Sequence, residues 1–169
     1  GLVGESGSGK SMTARAIDRL LPAGAELDGA IRFDGADVAS LRGNDLRRFR
    51  RELSMIFQDP RSHINPVRRI GDFMTEAVIA HGTMNRRDAT TLAVELLTAV
   101  QISNPADRLN RFPHELSGGM LQRVMIASVL MGSPRLVLAD EPTTALDVTT
   151  QAEVMAILDR LRRERGLAM

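Results

Sequence analysis

Residues 4–11 read Gly-Glu-Ser-Gly-Ser-Gly-Lys-Ser, a G-x-x-x-x-G-K-[S/T] pattern that demands a strand before it and a helix after it. Leu2 and Val3 supply the apolar end of such a strand. Ala16, Ile17, Leu20 and Leu21 recur on one helical face, which Pro22 and Gly24 close. The residue types follow from the chemistry. Gly4, Gly7 and Gly9 let several backbone amides turn toward one anion. The helix N-terminus adds about half a positive charge aimed at the same point. In such a motif Lys10 reaches the β- and γ-phosphates of a nucleotide as a compact point charge, and the Ser11 hydroxyl can ligate Mg²⁺. Lys10 is the only lysine among 22 basic residues. A plain glycine-serine turn before an ordinary helix is the alternative, and it has no use for that choice.

Downstream, Gly29–Gly35 alternates and ends in Asp-Gly, which reads as a strand entering a tight turn. Leu41–Arg51 is polar and carries Arg47, Arg48, Arg50 and Arg51, a solvated helix face with no interleaved aromatics for base stacking. Ser54–Phe57 is a short apolar strand running into Gln58-Asp59-Pro60. Two amphipathic stripes follow, one through Ile70, Phe73, Met74, Ala77 and Val78, the other through Ala89, Leu92, Ala93, Leu96, Leu97 and Val100. Both face a core.

Leu116-Ser117-Gly118-Gly119-Met120-Leu121-Gln122-Arg123 opens the next helix, with Ser117 as its N-cap. Two glycines there weaken the helix by roughly 1 kcal/mol each, so the pattern points to bare amides offered to an anion, a flexible joint being the alternative. Arg135–Ala139 is a buried strand that ends in Asp140-Glu141-Pro142. Strand carboxyl ends are where α/β sheets place ligands. Asp140 suits the Mg²⁺ shell, and Glu141 suits orienting or polarising an attacking water. Val154, Ile157, Leu158 and Leu161 mark a last amphipathic helix.

With 22 basic and 21 acidic residues the net charge is +1, which gives no field for gripping nucleic acid or an anionic membrane. Cysteine is absent, which excludes disulfides and thiolate metal sites. The longest apolar run, Val124–Pro134, falls short of the roughly 18–20 residues a membrane span needs.

In this order the pieces resemble the ATP-binding subunit of an ABC transporter. Residues 4–11 look like its Walker A, Gln58 in Phe-Gln-Asp-Pro like its Q-loop, and residues 116–123 like its signature. Leu136–Pro142 looks like Walker B, and Thr144-Ala145-Leu146-Asp147 like the D-loop. The segments around Ile64-Asn65-Pro66-Val67 and Phe112-Pro113-His114 look like the branch that imports oligopeptides, dipeptides or nickel. His63 stands where that branch more often has a small residue.

The resemblance implies an α/β fold: a P-loop NTPase core with an antiparallel β piece and an inserted helical subdomain. Its parts would be 1–59 (core with β piece), 60–117 (helical subdomain) and 118–169 (signature helix and return to the core). ATP and Mg²⁺ are the implied cofactors. Gly4, Glu5, Ser6, Gly7, Ser8, Gly9, Lys10, Ser11, Met12 and Gln58 would bind nucleotide. Ser117, Gly118 and Gly119 would reach the γ-phosphate held by a second, homologous or identical ATP-binding subunit, with Asp147 lining that interface. Ser11, Gln58 and Asp140 would serve the metal, and Glu141, Lys10 and Gln58 catalysis. Two transmembrane permease subunits, indirectly an external solute-binding protein, no nucleic acid, and a peripheral place on the cytoplasmic face of the membrane complete the expectation.

The family domain is longer at both ends, so the sequence reads as a fragment, inactive alone, without the family's adenine-stacking aromatic and switch histidine. Other readings are a soluble ABC-type ATPase acting on DNA or ribosomes, a simple P-loop kinase or GTPase, and a non-catalytic remnant.

Overall fold

A computed structural model describes residues 1–169 except Ser6 and Ala145. Ser6 of the nucleotide-binding expectation and Ala145 of the Thr-Ala-Leu-Asp segment therefore lie outside the described residues.

The glycine-rich loop runs into α1, Lys10–Ile17. This helix stops a turn before Leu20 and Leu21, which the sequence pattern had put on its face. Arg19 takes a left-handed backbone, φ 57°. The amides of Arg19 and Leu20 then return to the carbonyls of Ala16 and Arg15, 3.2 and 2.8 Å away. That is a Schellman stop, and it satisfies the last carbonyls without further helix. Leu2 and Val3 form no strand among the described residues and stand exposed; an apolar pair becomes a strand only where a neighbour takes up its backbone groups.

A hairpin follows, β1 (Arg32–Phe33) and β2 (Ala36–Asp37), antiparallel with Phe33 opposite Ala36. Asp34 and Gly35 both have positive φ, 50° and 82°, the two-residue turn whose twist matches the strands. Helix α2, Gly43–Glu52, exposes its arginines and buries Phe49. With Val38 and Leu53, Phe49 makes a small core that Ile17 of α1 and Phe33 of β1 join.

Strand β3, Leu53–Ile56, pairs in parallel with β4, Leu136–Ala139, from Leu53–Leu136 to Ile56–Ala139. Ala168 bridges the other edge of β4 at Leu136. Between the strands come α3 (Ile70–Ala80), α4 (Arg86–Ala99), the short α5 (Pro105–Arg108) and α6 (Gly118–Leu130). Helix α7, Val148–Glu164, follows β4 and buries Val154, Ile157, Leu158 and Leu161.

One apolar core runs unbroken from Met74, Leu96 and Leu97 through Val124 and Ile126 to Val137 and Ile157. Helix α6 is its axis, buried at Leu121, Gln122, Val124, Met125, Ile126, Ala127 and Leu130. No helix of the described residues is long and apolar enough to cross a membrane.

Asp18 caps the C-terminus of α1, half-buried. Burial pushes its carboxyl from 3.8 up to about 6, against the opposing pull of Arg50. A folded value above the unfolded one gives stability that is complete below about pH 4 and lost as pH rises through about 6. Asp18→Asn should remove this slope. Relative to the variant, the parent chain should lose about 1 kcal/mol between pH 4 and 7.5, the linkage value reduced for partial exposure. Urea melts at the two pH values check it, and parallel pH dependences would contradict it.

Candidate functional site

The last rung of the β3–β4 ladder is the Asp140 amide donating to the Ile56 carbonyl, 3.0 Å. Past this rung the two chains separate. Gln58 leaves one strand while Asp140 and Glu141 leave the other. Glu141 has φ 45°, a left-handed backbone that costs about 1–3 kcal/mol for a residue with a side chain. The turn is secured by Thr144, whose amide donates to the Glu141 carbonyl at 3.2 Å. The Thr144 hydroxyl also donates to Glu141 Oε2, 3.1 Å. Gln151 of α7 braces the same loop, its Nε2 donating to the carbonyls of Thr143 and Leu146 at 2.8 and 3.2 Å.

Helix α1 brings the other half. Gly7 and Gly9 have φ 81° and 93°, values that favour glycine. Gly4 lies close against Ser8: a Cβ there would sit 2.5 Å from Ser8 Oγ, which would have to turn away. Gly9 is the N-cap of α1 and offers no side chain to its first amides, which leaves them free for an external acceptor. Lys10 Nζ donates to the carbonyls of Gly4 and Glu5, 2.9 and 3.0 Å, and pairs with Glu141 Oε1 at 3.4 Å. Ser11 Oγ donates to Asp140 Oδ1 at 2.9 Å. Gln58 Nε2 reaches Glu141 Oε2 at 3.4 Å. Glu5, Ser8 and Met12 lie on the same loop and helix start, Met12 exposed.

Lys10, Ser11, Gln58, Asp140 and Glu141 thus converge on one spot. Ser117, Gly118, Gly119 and Asp147 do not join them by any hydrogen bond or ion pair among the described residues. Ser117 caps α6, accepting from the Met120 amide at 3.3 Å. Asp147 caps α7, accepting from the Thr150 amide and hydroxyl at 3.0 and 2.7 Å. The Thr150 hydroxyl and amide hold the Asp147 carboxyl below its ordinary value. His63 stacks on Phe57, ring centroids 3.8 Å apart and nearly parallel, and its Nδ1 lies 3.0 Å from the Asp59 carbonyl, so it shapes the chain just after Gln58.

Sequence reasoning missed the supporting roles of Thr144, Thr150 and Gln151. A threonine three residues after an acidic residue is a signal for the first two, since a local turn brings that hydroxyl back to the carboxylate. Gln151 carries no comparable signal.

No group of three or more His, Cys, Asp or Glu residues among the described ones could hold a metal by itself. A carboxylate and a hydroxyl 2.9 Å apart are hard oxygen donors of the kind that share Mg²⁺ with waters and phosphates rather than caging it. The donor set fits that ion.

The family model described as ABC transporter matches residues 1–144. The oligopeptide transport ATP-binding protein OppD of Escherichia coli (strain K12) is 46% identical over 170 residues, 100% of this chain and 50% of that protein. The probable D,D-dipeptide transport ATP-binding protein DdpD of the same organism is 48% identical, over 100% of this chain and 52% of that protein. The chain spans about half the length of the curated relatives it matches. Among solved structures, the dimeric ATP-binding cassette MJ0796 in a post-hydrolysis state bound to ADP and Pi superposes with TM-score 0.80 at 30% identity, over 98% of this chain and 69% of that one. CbiO1 from Clostridium perfringens, part of the ABC transporter complex cbiONQ, superposes with TM-score 0.78 at 26% identity, over 98% and 62%.

Lys10→Met should weaken binding of inorganic triphosphate at least about tenfold, since a charge-assisted contact is worth roughly 1.5–3 kcal/mol. Isothermal calorimetry on the two forms reads this directly. Equal affinities would detach the loop from anion binding.

Proposed function

The chain belongs to the ABC transporter family of ATP-binding proteins, and from that premise we propose that it is the ATP-binding and hydrolysing core of an importer motor, with peptides as the cargo class. The observation that carries this reading is the meeting of Lys10 and Ser11 with Asp140 and Glu141 at the end of β4. The relatives named for oligopeptide and dipeptide transport favour an importer over a soluble ATPase acting on DNA or ribosomes.

In this reading the loop Gly4–Ser11 with Met12 wraps the phosphates. Lys10 leaves Glu141 for the β- and γ-phosphate oxygens, which compete for the same ammonium. That exchange frees the Glu141 carboxylate to orient a water and take its proton. The water oxygen forms the new bond to the γ-phosphorus, and the bond to the bridging oxygen breaks with its electron pair left on ADP. Ser11 and Asp140, with Gln58 nearby, would hold Mg²⁺, which neutralises charge on the phosphates. Ser117, Gly118 and Gly119 would meet the γ-phosphate held by a second ATP-binding subunit, and Asp147 would border that interface.

The proposed parts are a core with its β piece (1–59), a helical lobe (60–117) and the return to the core (118–169). A groove of about 900 Å³ lies among α2, β3, α3 and the end of α6. Met55, Phe73, Met74 and Val78 line it, and Arg47, Arg50 and Arg51 rim it. An apolar floor with a cationic rim suits an amphipathic, acid-flanked segment of a permease subunit. Two such permeases, a solute-binding protein outside them, and a peripheral position at the cytoplasmic face of the membrane complete the assembly.

In the full-length protein, Glu141→Gln should retain ATP binding and lose about 10²–10⁴-fold in turnover. Unchanged turnover would remove Glu141 from the role of base. Arg50→Glu with Arg51→Glu should cut co-purification with the permease subunits while leaving ATP affinity within about twofold, because rim charges act on association. Undiminished co-purification would place the docking surface elsewhere.

A further inference from the structure

The two glycines that begin α6 have unlike surroundings. A Cβ added to Gly118 would meet nothing within 4 Å, whereas one added to Gly119 would lie 2.7 Å from Thr150 Cγ2. Thr150 stands in the first turn of α7, and Asp147 holds it by two bonds: the amide to Oδ1 at 3.0 Å and the hydroxyl to Oδ2 at 2.7 Å. A threonine side chain turns about one heavy-atom torsion, so fixing the hydroxyl also fixes the methyl. Rotating that methyl away from Gly119 would break the bond to Asp147. One turn further along both helices, Arg123 pairs with Glu153, which holds α6 and α7 in the same register.

The start of α6 is therefore seated on the start of α7, and the seat is tied to Asp147. We propose that Thr150 is a positioning residue: bonded to Asp147, it holds its methyl against Gly119 and sets where the amides following Ser117 present themselves. The absence of a side chain at Gly119 then serves this close approach, and that at Gly118 serves access from outside the chain. The functional half of this inference rests on the role proposed above for Ser117–Gly119.

The test is a set of variants of the full-length protein in its assembled transporter, with ATPase rate measured against ATP concentration and a melting temperature for each. Gly119→Ala should lower kcat/KM about tenfold or more, and adding Thr150→Ser, which keeps the hydroxyl and removes the methyl, should restore it to within about threefold of Thr150→Ser alone. Gly118→Ala should be impaired and should gain nothing from Thr150→Ser. Thr150→Val, which keeps a methyl but lacks the hydroxyl, should raise the KM for ATP about threefold with kcat within about twofold of the parent's, a split that simple packing loss does not give. It also serves if Gly119→Ala does not fold. Failure of Thr150→Ser to rescue Gly119→Ala, or a Thr150→Val KM equal to the parent's, overturns the proposal. If Gly118→Ala is nevertheless impaired, the phosphate role of Ser117–Gly119 survives that failure. Full activity of both glycine variants overturns the two together.

Discussion

Where the β3–β4 ladder ends, at the bond from the Asp140 amide to the Ile56 carbonyl, two chains that have run side by side must diverge. Their next side chains fan out from a common point. Glu141 turns through a left-handed backbone and Thr144 holds it there, so its carboxylate faces back toward α1. Asp140, one residue earlier, meets the next residue of the same helix start, Ser11. Shifting this parallel register by one residue would turn the strand's side chains to the other face, and neither Lys10 nor Ser11 would find its partner.

The resulting cluster sets the Lys10 ammonium against the Glu141 carboxylate, with loop carbonyls completing the ammonium's shell, while Asp140 is held by Ser11. Such an arrangement is poised rather than closed. A phosphate offers Lys10 a stronger acceptor than a half-exposed carboxylate, and the carboxylate so released is the group suited to hold a nucleophilic water. In the proposed mechanism the pair that binds and the pair that reacts share one residue, Glu141, so occupation of the loop and activation of the carboxylate would be a single event.

Helix α6 links this chemistry to the rest of the molecule. Its buried side chains join the helices between the strands to β4 and α7, so the α3–α4 layer cannot shift without dragging α6. Its first turn rests on α7 through Gly119 and Thr150, and α7 begins at the loop that leaves Glu141. Dense packing transmits such displacements because it has no slack to absorb them.

The sequence alone determined the elements whose buried positions repeat at a fixed period. The core faces of α4 and α7 fall where the apolar spacing put them, and so does that of α3 except at Ala77, which is exposed while Thr75 is buried, because periodic burial is local information. It also pointed to the chemistry proposed above, since the loop glycines, the single lysine and the Asp-Glu pair are types that few other tasks require together. Tertiary structure decided the rest. The absence of a strand at Leu2 and Val3 among the described residues and the seat of Gly119 on Thr150 depend on what lies alongside. Ser11 and Asp140 are 129 residues apart in the chain. Their 2.9 Å contact is set by every element packed between them, and no local pattern encodes a distance of that kind.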